Sequence, residues 1–276
     1  MLKRNLVRAG KVLAVLLVLV WSLFPIVFIV TSSFKPGREI FAVPPQWVFA
    51  PTFEHYIKLW DRWSVFFVGL LNSTIVTIGA AALAVIASTC AGYVYSRHSS
   101  RFLDASLIGL IAVRLIPPIV VTLPLFPIIN NLGLADTHFI LAVLYATFFV
   151  SLGTVLMRTF IDQIPRELDE AAAMDGGTTP VILKRVIVPL AAPGILAVAV
   201  FVVVFAWNEF LFAFIFTSTK AKTAPLVISE MIGSIEGVDW GVLFAASTIQ
   251  LLPVLLFVMF MNRYLVAGLT AGATKG

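Results

Sequence analysis

A chain of 276 residues that is 60% hydrophobic and 12% charged is too apolar for a soluble domain, in which about a quarter of residues carry charge; its solvent is lipid. The formal net charge of +5 comes from basic residues flanking apolar segments, with no aromatic-interleaved basic patch, so a nucleic-acid partner is not indicated. The single cysteine, Cys90, excludes a disulfide framework or cysteine-rich metal site and reads as a small buried thiol.

Crossing a bilayer takes about 20 apolar residues, and six runs qualify, at 12–31, 69–94, 105–129, 138–157, 190–216 and 242–266. The first follows Lys3, Arg4, Arg8 and Lys11. It outlasts the roughly 7–15 residues of a signal-peptide apolar region, and no clear A-x-A site follows, so it predicts an uncleaved helix. The segment 32–68 holds Pro36, Pro44, Pro45 and Pro51, which break regular structure, and Trp47, Tyr56 and Trp60, which suit an interfacial belt. It predicts a lid or amphipathic piece on the outer surface. The third run contains Pro117, Pro118, Pro124 and Pro127. In lipid such interruptions are tolerated only where protein or water satisfies the freed carbonyls, which places that run against a pathway or gate.

Between the fourth and fifth runs lies a polar insert, 158–189, and after the sixth a tail, 267–276. With the N-terminus inside, the inner face collects Lys3, Arg4, Arg8, Lys11, Arg97, Arg101, Arg158, Arg166, Lys184, Arg185, Arg263 and Lys275. The outer face collects Lys35, Arg38, Lys58, Arg62, Lys220 and Lys222. That asymmetry predicts both termini, and hence the insert, in the cytoplasm.

Helix punctuation in the insert is explicit. Pro165 suits a first turn, with Glu167, Asp169 and Glu170 near the positive end of the dipole. Gly176-Gly177 stops that helix, Thr179 is placed to cap a second with Pro180 at its first position, and Pro189 predicts a kink on re-entry. The 3.6-residue period puts Glu167, Glu170, Ala171 and Met174 on one face.

Charged groups at membrane depth are expensive and face a cavity or a partner. Arg114 and Glu209 are two such groups; Asn72, Asn208 and Trp207 add hydrogen-bonding and stacking surfaces suited to a polar, hydroxyl-rich solute. An ion pair or hydrogen bond that merely fixes the helices is the alternative for Arg114, Asn208 and Glu209. The three histidines, His55, His98 and His138, have no metal-ligand spacing and read as surface or interfacial residues. No G-x-x-x-x-G-K-[ST] phosphate loop is present, so any nucleotide-derived energy has to come from another chain.

The stretch Glu170-Ala171-Ala172-Ala173-Met174-Asp175-Gly176, nine residues, then Val186-Ile187-Val188-Pro189 resembles the EAA loop of bacterial ABC-importer permeases. Val186 and Val188 depart from its Ile-x-Leu-Pro ending and stay apolar. Leu71-Asn72-Ser73, Leu115-Ile116-Pro117-Pro118, Ala206-Trp207-Asn208-Glu209-Phe210 and the terminal Gly268-Leu269-Thr270 through Lys275-Gly276 extend the likeness to carbohydrate permeases similar to the smaller maltose-transporter permease. The resemblance implies an all-α membrane protein of six transmembrane helices, a single permease domain of type I importer fold, in a bacterial inner membrane. It implies no cofactor and no catalysis by this chain. Its implied partners are a second, homologous permease, a dimer of ABC ATPase subunits, an external solute-binding protein and a carbohydrate. Glu167, Glu170, Ala171, Ala172, Met174, Asp175, Gly176 and Pro189 would then form the coupling loop, with Thr270, Gly272 and Lys275 as a second ATPase contact. Import of a polyol, a sugar acid or another small polar solute, or ion-driven secondary transport with Glu209 as proton site, are the competing expectations.

Overall fold

The computed structural model describes residues 2–235 and 237–271, with side chains described for residues 8, 10–235 and 237–261. Among the described residues every regular element is helical. They divide into two compact units, one formed by residues 1–67 and 227–253, the other by 68–226 and 254–276.

In the first unit, α1 (Leu2–Ser32) covers the first predicted span and carries Pro25 within it. A short 3-10 turn (Gly37–Glu39) and α2 (Glu54–Arg62) follow. The proline-rich segment folds back on itself: Thr52 donates its N–H to the Phe34 carbonyl at 2.8 Å, and the Ser33 and Tyr56 hydroxyls pair at 2.8 Å. His55, expected at the surface, is 2% exposed. Its Nε2 bonds the Lys35 carbonyl at 2.7 Å, and its ring lies flat against Gly241, where any Cβ would collide with it.

The second unit is built on close helix contacts. Starting at Val65, α3 (Val65–Arg97) runs unbroken for 33 residues, about 50 Å at 1.5 Å per residue. Met157 and the Arg158 backbone of α6 (His138–Ile161) approach Gly92 so closely that a Cβ there would overlap them. Without a hydrophobic drive between helices in lipid, this close backbone approach is what supplies packing energy. Val76 of α3, Leu141, Tyr145, Met157 and Ile161 of α6, and Val198 from the later segment 192–207 are among the most enclosed side chains of this unit's core. Cys90, read from sequence as buried, is exposed on the outward face of α3.

The third predicted span is two helices, α4 (Arg101–Arg114) and α5 (Pro118–Asn131), at 93° to each other. Leu115 to Pro117 form the break, because Pro117 and Pro118 remove two successive N–H donors. After α6 come α7 (Glu167–Met174), α8 (Thr179–Ile182), a π turn (Leu183–Ile187) and α9 (Val188–Leu190). The predicted fifth span is divided into α10 (Ala192–Trp207) and α11 (Leu211–Phe216). Finally come α12 (Ala224–Ile232) and α13 (Trp240–Ala271). Among the described residues four helices are individually long and apolar enough to cross a membrane, and up to six crossings result if each of two bent pairs counts as one.

Candidate functional site

The insert is two helical pieces around a glycine corner. Three acidic residues, Glu167, Asp169 and Glu170, occupy the first turn of α7, where its dipole favours them. At the other end the N–H groups of Asp175, Gly176 and Gly177 return to the carbonyls of Ala171, Ala173 and Ala172 at 3.1, 2.9 and 2.9 Å. Gly176 has φ +84°, a left-handed conformation that costs other residues about 1–2 kcal/mol. The cap of α8 is Thr178, one residue before the expected Thr179, and its side chain makes no capping bond. Pro189 does not break the chain where expected. The π turn before it lets Val188 N–H reach the Leu183 carbonyl, absorbing the donor that the proline lacks. The 80° bend falls at Ala191 instead.

Glu167, Glu170, Ala171, Met174 and Asp175 are exposed, Met174 to 89%, so the face read from periodicity is presented outward. Ala172, grouped with them at the sequence level, is half-buried and packs against the core. Gly272 and Lys275 lie outside the described residues, and so does the side chain of Thr270.

Behind α7 sits a cluster that spacing did not reveal. Arg97, the last residue of α3, donates Nε to Asp169 Oδ2 at 2.8 Å and Nη2 to Oδ1 at 3.3 Å. The same guanidinium reaches the carbonyls of Ile161 at 3.3 Å and Ile164 at 3.1 Å. Arg166 donates in turn to the Ser96 carbonyl at 2.8 Å, and the Tyr93 hydroxyl lies beside the Asp169 carboxylate. The two ion-pair side chains are only 8% and 13% exposed. A two-pronged arginine–carboxylate contact fixes orientation as well as distance, and removing one partner of a buried pair costs about 3–5 kcal/mol. Asp169 sits on the side of α7 opposite its exposed face, so the helix is anchored from behind and open in front.

At the opposite end of α6, the candidate Asn72 is committed to structure. Its amide donates to the Lys220 and Lys222 carbonyls, both at 2.9 Å, and its oxygen pairs with His138 Nε2 at 2.7 Å. The neighbouring Ser73 hydroxyl accepts the Ala224 N–H at 2.9 Å. Asp136, which the sequence reading passed over, holds the same loop: its carboxylate accepts N–H bonds from Ser218, Thr219, Lys220 and Ala221 at 2.9–3.1 Å, and both hydroxyls of Ser218 and Thr219. Partial burial works against its charge, but the N–H groups of Lys220, Ala221 and Ser218 prevail and hold the carboxyl well below the usual carboxylate range. Its φ of +57° is unusual for a non-glycine residue. A lone acid in a short loop was the only signal available for it.

The remaining membrane-depth candidates separate. Arg114 and Glu209 form no ion pair with each other among the described residues. Glu209 caps α11 by accepting the Phe212 N–H at 2.9 Å, and the Tyr145 hydroxyl faces it without a well-formed hydrogen bond. Arg114 places its guanidinium 5.3 Å from the Phe148 ring centre and lines a largely apolar cavity of about 510 Å³ with Ser106, Thr147, Phe148 and Ser151. Trp207 is 6% exposed, which removes it as a stacking platform. Asn208 is exposed, its amide turned back to the Val204 carbonyl at 2.8 Å, and exposed Phe205 and Phe210 flank it in sequence.

A family model described as "Binding-protein-dependent transport system inner membrane component" matches residues 83–271. The trehalose transport system permease protein SugB of Mycobacterium tuberculosis is 34% identical over 264 residues, 94% of this chain and 95% of that protein. The inner membrane ABC transporter permease protein YcjP of Escherichia coli is 32% identical over 281 residues, 99% of each. Among solved structures, a chain of a bacterial ABC transporter involved in the import of the acidic polysaccharide alginate superposes with a TM-score of 0.78 at 21% identity, over 95% of this chain and 96% of that one.

Proposed function

The chain belongs to the family of binding-protein-dependent transport system inner membrane components, and from that premise we propose that it is the permease subunit of an ATP-driven carbohydrate importer whose insert docks on an ATPase. The observation that carries this reading is α7: an exposed face of Glu167, Glu170, Ala171 and Met174, ended by the Gly176 corner and anchored from behind by Arg97. Small alanines admit a partner's backbone, and the carboxylates meet its basic groups. Closure of the ATPase pair on ATP would then move α7 as a rigid piece and switch the packed helices between inward- and outward-open arrangements.

In this reading the chain catalyses nothing itself. A second, homologous permease completes the pathway, two ATPase subunits supply energy, an external solute-binding protein delivers the cargo, and both termini are cytoplasmic. The carbohydrate class is supported by the named cargo of the relatives, trehalose and alginate. Of the pathway candidates, Arg114 and Asn208 keep surface toward a cavity or the exterior, whereas Asn72, Trp207 and Glu209 serve the helices around them.

The test is reconstitution of the complete transporter in liposomes with its solute-binding protein and a panel of labelled di- and oligosaccharides. Uptake of at least one saccharide that requires ATP inside and the binding protein outside is the expected result. Uptake driven by a pH gradient without any ATPase would overturn the proposal in favour of an ion-driven carrier.

A further inference from the structure

The two polar clusters of the second unit grip the same helix. At one end of α3, Arg97 holds Asp169 of α7 and the Ile161 and Ile164 carbonyls, and Ser96 accepts from Arg166. At the other, Asn72 and Ser73 hold the loop that runs from Lys220 to Ala224. Between Asn72 and Arg97 the helix contains no proline and no interruption, so about 38 Å of hydrogen-bonded rod separates the grips. Side-chain packing fixes the rod laterally, with α6 against Gly92.

The attachment of α7 is made toward α3 and toward α8 and the π turn that follow it in sequence. Toward α3 it is made by a buried ion pair and a backbone-directed arginine. Toward the elbow of α9 and α10 there is a hollow of about 360 Å³, lined by Phe160, Pro165, Leu168, Leu190 and Pro193. A displacement of α7 therefore meets stiff contacts in the direction of α3 and empty space in the direction of α10, although α10 is nearer in sequence.

We propose that α3 is the driven element of the permease: Arg97 and Asp169 pass the movement of α7 to α3, and Asn72 and Ser73 pass it on to the 220–224 loop at the far end. Arg97 and Asp169 are positioning residues; neither touches solute or nucleotide. This rests on the docking role proposed for α7, and it adds a route and four residues to it. Charge-assisted bonds suit such a link because they resist both separation and rotation, whereas an apolar contact slides.

The experiment uses the complete transporter, with Asp169→Asn, which keeps shape and removes charge. Expected are normal co-purification of all subunits, ATP hydrolysis at half the normal rate or more, and uptake reduced at least fivefold, so that ATP consumed per solute rises; Asp169→Glu restores uptake to within twofold. A second readout places a cysteine at the exposed Lys220 in a Cys90→Ala background. Its labelling by an impermeant thiol reagent should change when ATP is trapped with vanadate, and should cease to change in Asp169→Asn. Should that variant assemble poorly, Arg166→Ala, which gives up one bond from an exposed side chain, should still raise the ATP-to-solute ratio about twofold. Uptake and hydrolysis that fall in the same proportion, or an unaltered ratio in both variants, overturns the proposal. Glu170→Lys in the same membranes separates the two ideas: loss of uptake there with normal coupling in Asp169→Asn overturns the α3 route alone, and normal uptake in Glu170→Lys overturns the docking reading.

Discussion

The two ends of α6 lead into two acidic corners that use their carboxylates in opposite ways. Asp136, just before α6, accepts bonds from four backbone N–H groups and two hydroxyls and has nothing left to offer. Glu167, Glu170 and Asp175, beyond its other end, are exposed, while Asp169 alone is spent on holding the helix in place. An acid whose bonding capacity is exhausted internally makes a fixed point. One held by its backbone and left open at its tip makes a contact surface.

That contrast can be broken most severely at the fixed point. Asp136→Ala leaves several N–H groups of the 218–221 loop without an acceptor and loses a residue tolerant of positive φ, so thermal denaturation in detergent should show a loss of about 2–3 kcal/mol. Asp136→Asn, which keeps that tolerance, should lose less. Glu170→Lys should do the reverse, lowering ATP-dependent uptake tenfold or more while the melting temperature stays within about 2 °C, because exposed substitutions usually lie within about ±0.5 kcal/mol. Between these lies Gly176→Ala: the corner has room for a methyl group, since nothing lies within 4 Å of its position, so the cost of about 1 kcal/mol is purely the left-handed backbone. A measured loss much larger than this would show that the corner is packed.

The smallest effect is in pH. A carboxyl held below its ordinary value stabilises the folded state at every pH above the unfolded value, about 3.9, and loses that contribution as pH falls toward the lower folded-state value. The stability difference between the wild type and Asp136→Asn should therefore stay constant from pH 8 to about 5 and shrink only below about 4. A difference that shrinks near neutrality instead would mean that another group carries it.

The local grammar of the insert was readable because it is written in adjacent residues: Pro165 before α7, three acids in its first turn, and Gly176 after it. The outward face of α7 followed from 3.6-residue spacing. Contacts made across long sequence separations were not readable, since nothing at Arg97 announces Asp169, 72 residues away, or at Asn72 the carbonyls of Lys220 and Lys222. The same blindness made Asn72 and Trp207 look available for solute when they are interior, and made Cys90 and His55 exchange surface and core. Of the four prolines expected to interrupt the third run, 117 and 118 mark the break, whereas Pro124 and Pro127 lie inside α5, which continues through them. The 93° angle of that break is a tertiary matter, and so is the displacement of the later bend from Pro189 to Ala191.

If the insert docks on an ATPase, Met174, 89% exposed at the end of α7, lies at the interface. With Cys90→Ala as background, Met174→Cys in native membranes of the complete transporter should be joined by a short bifunctional maleimide to the ATPase subunit, at a yield that changes with bound ATP. Val43→Cys, 94% exposed in the segment assigned to the outer face, should give no such product. Absence of the Met174→Cys product from fully assembled transporter, or an equal yield from Val43→Cys, would contradict the account.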